Sequence, residues 1–128
     1  MDKARFTTGM KIRREVLGDE HVDRAMANAD AFTMPFQEFM TEYCWGGVWG
    51  QPALDRKQRS LNNLCILSAL NRPEEFKAHV RGALTNGCSV AEIGETLIQV
   101  TVYVGVPAGV NAFKLAREVF EAEGVAVE

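Results

Sequence analysis

The strongest constraint in this sequence lies between Leu54 and Gly87. The stretch LDRKQRSLNNLCILSALNRPEEFKAHVRGALTNG reads as two consecutive helices joined by a very short turn. Asp55 can cap the first helix, with Gln58 three residues later in the capping-box position. Pro73 stands where a helix tolerates proline, at the first helical position of the second. Gly87, after Asn86, supplies the C-terminal stop. The second helix carries Glu75 and His79, four residues apart and therefore on one face. Phe76, Val80, Ala83 and Leu84 form its apolar stripe, and His79 lies at the edge of that stripe. A carboxylate and an imidazole at the rim of a core are the best chemical clue in the chain. The alternative for His79 is a core histidine satisfied by Glu75 alone.

The rest of the chain keeps helical periodicity. Residues 4–17 form an amphipathic pattern ending at Gly18, and Asp19 can cap a short helix from Glu20 to about Ala29. His21, in the first turn of that helix, reads as a surface or interface residue. In the aromatic block FTMPFQEFMTEYCWGGVWG, Pro35 opens a helix that the sequence breaks at Gly46-Gly47 and Gly50. Trp45 and Trp49 then flank a glycine-rich turn, as a hydrophobic anchor, a subunit contact or the wall of a pocket. Glu42, one turn before Gly46, can point into the same space.

Arg56 to about Asn71 is polar in its first turns and almost wholly apolar afterwards. That pattern describes a central helix whose N-terminal end opens to a site or surface. Arg59 and Ser60 lie at that end, where the helix dipole favours an anion; the alternative for Arg59 is a surface salt bridge. Ser89 and Glu92 form a capping box. The β-branched run from Thr96 to Val106 continues that capped helix and is expected to be a buried helix rather than a strand. Gly105 ends it and Pro107 starts a last helix reaching Gly124. The sum is an all-α fold, a single-domain helical bundle of six or seven helices over residues 1–128.

Charge and composition remove several function classes. A net charge of −3 and a pI near 5.4 argue against a nucleic-acid surface. No apolar run reaches the roughly 18 residues that a membrane helix needs. The charged N-terminal stretch shows no secretory signal, so cytoplasm is the default expectation. Cys44, Cys65 and Cys88 form no CxxC pair, and two histidines make no convincing metal site, so no metal is expected.

Several ordered blocks together resemble the carboxymuconolactone decarboxylase family. VLGDEHVDRA at 16–25, WGGVWGQPALDRKQRSL at 45–61, FKAHVRGALTNG at 76–87, EIGE at 92–95 and YVGVPAGVNAF at 103–113 carry the similarity. It implies an alkylhydroperoxidase-D-like helical fold, usually assembled as a homo-oligomer, with a hexamer expected here. It implies no cofactor. The implied reaction is decarboxylation of 4-carboxymuconolactone to 3-oxoadipate enol-lactone in the protocatechuate branch of aromatic catabolism. Redox relatives place a CxxC pair before the histidine, whereas this chain has Arg72-Pro73-Glu74-Glu75 there, so a thiol-dependent peroxidase or reductase lacks its nucleophile. Gly47 stands where many family members carry an acidic residue, and Tyr43-Cys44 and Gln99 also depart from the pattern. Such departures leave room for a paralogue acting on another small acid or lactone. A non-enzymatic helical assembly module, with the aromatic block as its interface, is a further reading of the same residues.

The substrate implied is a small dianion with an unsaturated lactone ring. Its site must hold the retained carboxylate, stabilise a developing oxyanion and return a proton to carbon. Arg59 is the expected carboxylate clamp, with Arg81 as the alternative. His79 is the expected general acid or oxyanion donor, oriented by Glu75. Trp45, Trp49 and Tyr103 are expected as pocket walls, with core packing as the alternative for Tyr103. Glu42 and Ser60 are expected as further substrate contacts.

Overall fold

Every regular element of the computed structural model, which describes Met1–Glu128, is a helix. Seven α-helices and one π-helical segment follow in order: α1 (Lys3–Leu17), α2 (Asp19–Ala27), α3 (Met34–Phe39), the π-helix (Met40–Val48), α4 (Arg56–Ala69), α5 (Pro73–Thr85), α6 (Val90–Tyr103) and α7 (Val106–Ala122). Contacts group them into two units, Met1–Asp55 and Arg56–Glu128.

In the first unit, Asp2 caps α1 by accepting the Arg5 N–H at 3.0 Å. Gly18, at φ 92°, serves both as the C-cap of α1 and the N-cap of α2. One residue in that left-handed region joins the two helices without a loop. Asp19 therefore sits inside the first turn of α2 and is not its cap. The expected break at Gly46-Gly47 does not occur either: the chain runs through both glycines as the π-helix. The reason is close packing. A methyl group at Gly9 would strike the Thr41 carbonyl, and one at Gly46 would strike the Arg5 carbonyl. These glycines let α1 and the π-helix approach backbone to backbone. Trp45 and Trp49 stack with ring centroids 4.8 Å apart. With Ile12 and Val16 they make the core of this unit. Buried Arg13 donates from Nη1 to Thr41 Oγ1 at 3.2 Å, adding a polar tie between the same two elements.

The second unit is built on the α4–α5 hairpin. Asn71 adopts φ 56° after α4. Around it, Asn71 N–H donates to the Ser68 carbonyl at 3.2 Å and Arg72 N–H to the Leu67 carbonyl at 3.0 Å. This bond pair closes a helix around a left-handed residue, a conformation that asparagine tolerates better than other side-chain-bearing residues. Pro73 then starts α5, as its fixed φ suits. The same bond pair recurs at Gly87, whose N–H reaches Leu84 while that of Cys88 reaches Ala83. The expected capping box opens α6: Ser89 Oγ accepts the Glu92 N–H at 3.0 Å, and Glu92 Oε1 accepts the Ser89 N–H at 2.9 Å. The core joins Leu64 of α4, Phe76, Val80 and Ala83 of α5, Ile93 and Leu97 of α6, and Ala112, Ala116, Val119 and Phe120 of α7. The β-branched run is helical to Tyr103, as expected, but it is not buried on all sides. Val100 points inward, whereas Ile98, Val102 and Tyr103 are exposed. No helix is long and apolar enough to cross a membrane.

Two outcomes follow from this packing. Gly46→Ala should lower stability by about 1–3 kcal/mol through overpacking. Gly47→Ala, whose added methyl meets nothing closer than 3.8 Å, should be neutral or slightly stabilising. Urea denaturation compares the two, and equal midpoints for both variants would contradict the close approach at Gly46. The second outcome concerns acid. Hydrogen bonding from the Ser89 N–H, and then Lys57 Nζ 3.0 Å away, hold the Glu92 carboxyl below its ordinary range. A carboxyl depressed in the folded state stabilises fully above its unfolded pKa and loses that contribution as pH falls through the folded value. Glu92→Gln should therefore make the acid-side fall of the urea midpoint shallower, and an acid limb as steep as in the parent chain would refute this.

Candidate active site

The α4–α5 hairpin determines which side chains meet. Asn63 lies eight residues before Asn71 and His79 eight residues after it. Two antiparallel helices of equal rise bring such positions level. Asn63 Nδ2 stands 3.4 Å from His79 Nδ1. Both residues are half-buried. Arg59, also half-buried, lies one turn before Asn63 on the same face of α4. Arg59, Asn63 and His79 thus form a cation, an amide and an imidazole on neighbouring helix faces.

Glu75 takes a different part from the one expected. It shares the face of His79 on α5, but it is exposed and forms neither hydrogen bond nor ion pair. The imidazole is contacted across the hairpin, from α4. An exposed carboxylate gains little by fixing its side chain, so Glu75 stays in water. Ser60 is fully buried, and its Oγ accepts from Asn86 Nδ2 at 2.9 Å. Asn86 Nδ2 also lies 3.5 Å from the Arg56 carbonyl, so Ser60 serves the closure of the hairpin. Arg81 follows His79 by two residues, about 200° round the helix, and so occupies another face of α5. Tyr103 is exposed at the end of α6. It walls a cavity of about 450 Å³ between α4 and α6 together with Gln58, Asn62, Cys65, Thr96 and Gln99. His79 is not among the residues lining that cavity.

The three remaining expected residues belong to the first unit. Glu42 is 5% exposed; its Oε1 accepts the Asp2 N–H at 2.8 Å and lies 4.0 Å from Arg5 Nη1. It anchors the start of α1. Trp45 and Trp49, at 3% and 6% exposure, are buried by one another and by α1 within their own unit. Of the roles open to them, that of hydrophobic anchor is the one their packing supports.

The thiols give no redox pair. All three cysteines are free. Cys88 is buried and its Sγ contacts the Lys57 carbonyl at 3.7 Å. Burial pushes the Cys65 thiol up, and does the same at Cys44 against the opposing charge of Arg13. A thiol held protonated is a poor nucleophile. No three His, Cys, Asp or Glu side chains gather as a metal-ligand set. Sequence reasoning missed Asn63, although the hairpin was legible and equal spacing about its turn was the available signal.

Residues 35–118 match the carboxymuconolactone decarboxylase family. A 4-carboxymuconolactone decarboxylase of Acinetobacter baylyi is 39% identical over 127 residues, covering 99% of this chain and 95% of that protein. A nitrosuccinic acid decarboxylase of Metarhizium robertsii is 45% identical over 113 residues, covering 88% of this chain and 79% of that protein. An uncharacterized protein of Paracoccus denitrificans is 30% identical over 107 residues, covering 81% and 78%.

Proposed function

Because the chain belongs to the carboxymuconolactone decarboxylase family, we propose that it is a carboxy-lyase converting 4-carboxymuconolactone, or a closely related lactone acid, to 3-oxoadipate enol-lactone. The end-to-end match to the Acinetobacter enzyme carries this reading. Residues 1–128 are taken as one functional domain on the same ground. The setting proposed is aromatic catabolism in the cytoplasm.

The chemistry needs an electron sink beside the carbon that loses carbon dioxide. In the lactone acid the C–C bond to the departing carboxylate breaks, and its electron pair moves through the ring double bond to the lactone carbonyl. A dienolate results, and a proton then adds to ring carbon. Arg59 holds the carboxylate that stays. His79 donates a hydrogen bond to the oxygen where charge collects, the interaction that grows as the transition state forms.

The match to the Metarhizium protein favours a second substrate, nitrosuccinic acid. The demands are the same: one carboxylate leaves from a carbon beside a sink, here a nitro group that becomes a nitronate, and a second carboxylate remains for Arg59. The proposed enzyme is also a homo-oligomer, with a hexamer expected from the resemblance. The support is an exposed apolar face on α6 and α7, where Ile98, Val102, Val106 and Val110 are 58%, 73%, 65% and 65% exposed. Contiguous apolar surface of this kind marks an association site.

The deciding assay supplies 4-carboxymuconolactone generated in situ, or nitrosuccinic acid, and follows product with and without the protein. Turnover of the lactone acid is expected, and no turnover of either substrate would overturn the reading. His79→Ala should fold yet lose at least about 10²-fold in kcat, the scale of one lost oxyanion donor. Arg59→Ala should chiefly raise KM, since a clamp holds ground state and transition state alike. Near-parental turnover by His79→Ala would remove His79 from the mechanism. For the assembly, Val102→Asp should lower the mass measured by light scattering, and an unchanged oligomer would clear this face of the role.

A further inference from the structure

We propose that Asn63 is a positioning residue for His79, donating its side-chain amide to Nδ1 so that the imidazole stays neutral with its proton on Nε2. The geometry is the 3.4 Å approach of Asn63 Nδ2 to His79 Nδ1 across the hairpin. An amide nitrogen offers two donors and no acceptor, so the ring nitrogen that faces it must accept. In a neutral imidazole that leaves the proton on the other nitrogen. An imidazolium would set an N–H on Nδ1 against the amide N–H, donor against donor, and forfeit the hydrogen bond.

On α4, Arg59 stands one turn before Asn63 on the same helix face. On α5 itself, Glu75 is exposed and forms no ion pair with the ring. α7 gives Ala112, Ala116 and Val119 to the common core with α5, and none of these carries charge.

This inference rests on the proposed decarboxylation and narrows the part His79 takes in it. A neutral Nε2–H is a hydrogen-bond donor, not a strong acid. As the C–C bond to the departing carboxylate breaks, its electron pair moves to the lactone oxygen, or to the nitro oxygen of the second substrate. There Nε2–H stabilises it without giving up the proton. Carbon dioxide leaves, and water gives one proton to carbon (the ring carbon beside the lactone carbonyl, or the carbon bearing the nitro group), leaving hydroxide to the solvent.

Nitrogen-15 NMR of the labelled full-length protein reads the tautomer directly, with His21→Gln removing the other imidazole signal. For His79 at neutral pH, Nε2 should resonate as a protonated, pyrrole-like nitrogen and Nδ1 as a bare, pyridine-like one. Asn63→Asp places an acceptor and a negative charge against Nδ1. It should move the proton to Nδ1 and raise the pH at which His79 ionises by about one unit or more. The pH dependence of kcat should shift with it. Asn63→Ala should leave both tautomers populated. A protonated Nδ1 in the parent protein, or an Asn63→Asp spectrum and titration like the parent's, would overturn the proposal. The spectra require no turnover, so they decide the role of Asn63 even if the decarboxylase assay fails.

Discussion

The closure of the α4–α5 hairpin is the constraint on which the rest of the second unit depends. Asn71 turns the chain in a single left-handed residue, and Pro73 restarts it as helix almost at once. With so short a connection the two helices have one register. That register sets Leu64, Phe76 and Val80 into the shared core and leaves Asn63 and His79 level at its rim. Ser60 and Asn86 tie the far end of the pair with a part-buried hydrogen bond, where leaving the buried Ser60 hydroxyl unmet would cost about 1–3 kcal/mol. The chemistry attributed to His79 is therefore a consequence of helix pairing rather than of any local motif.

Much of this was legible in the residues because the deciding signals are local. Pro73, Gly87 and the Ser89–Glu92 box each act within one turn of themselves, so sequence alone places them. Family resemblance supplied the fold type and the chemistry. What escaped was tertiary. Gly46 and Gly47 look like a helix breaker, yet Gly46 is there for contact with Arg5, forty-one positions earlier in the chain. Glu42 looked available to a ligand, but the start of α1 takes it up. Glu75 sits at helical spacing from His79, and spacing alone does not decide which of two neighbours a side chain meets. The imidazole found Asn63 on the adjacent helix instead.

Two relatives are named as decarboxylases of different acids, 4-carboxymuconolactone and nitrosuccinic acid. A lactone ring and a nitro group share no shape. They share an oxygen that gathers negative charge when a neighbouring carboxylate leaves as carbon dioxide. The proposed pair, the Arg59 guanidinium and the His79 N–H, suits that charge movement without being tied to either sink. The three free cysteines, two of whose thiols (Cys44 and Cys65) are pushed up by desolvation, take no place in this scheme.

In the proposed decarboxylation His79 acts as a neutral hydrogen-bond donor. The most direct measurement is kcat of His79→Gln against His79→Ala on 4-carboxymuconolactone. Glutamine offers an amide N–H close to the position of Nε2 but cannot become a cation at any accessible pH. The prediction is that His79→Gln recovers a substantial part of the rate that His79→Ala loses, with little pH dependence of its own. A glutamine variant as inactive as the alanine variant, beside a parent enzyme that turns the substrate over, would contradict it and make His79 a proton donor instead.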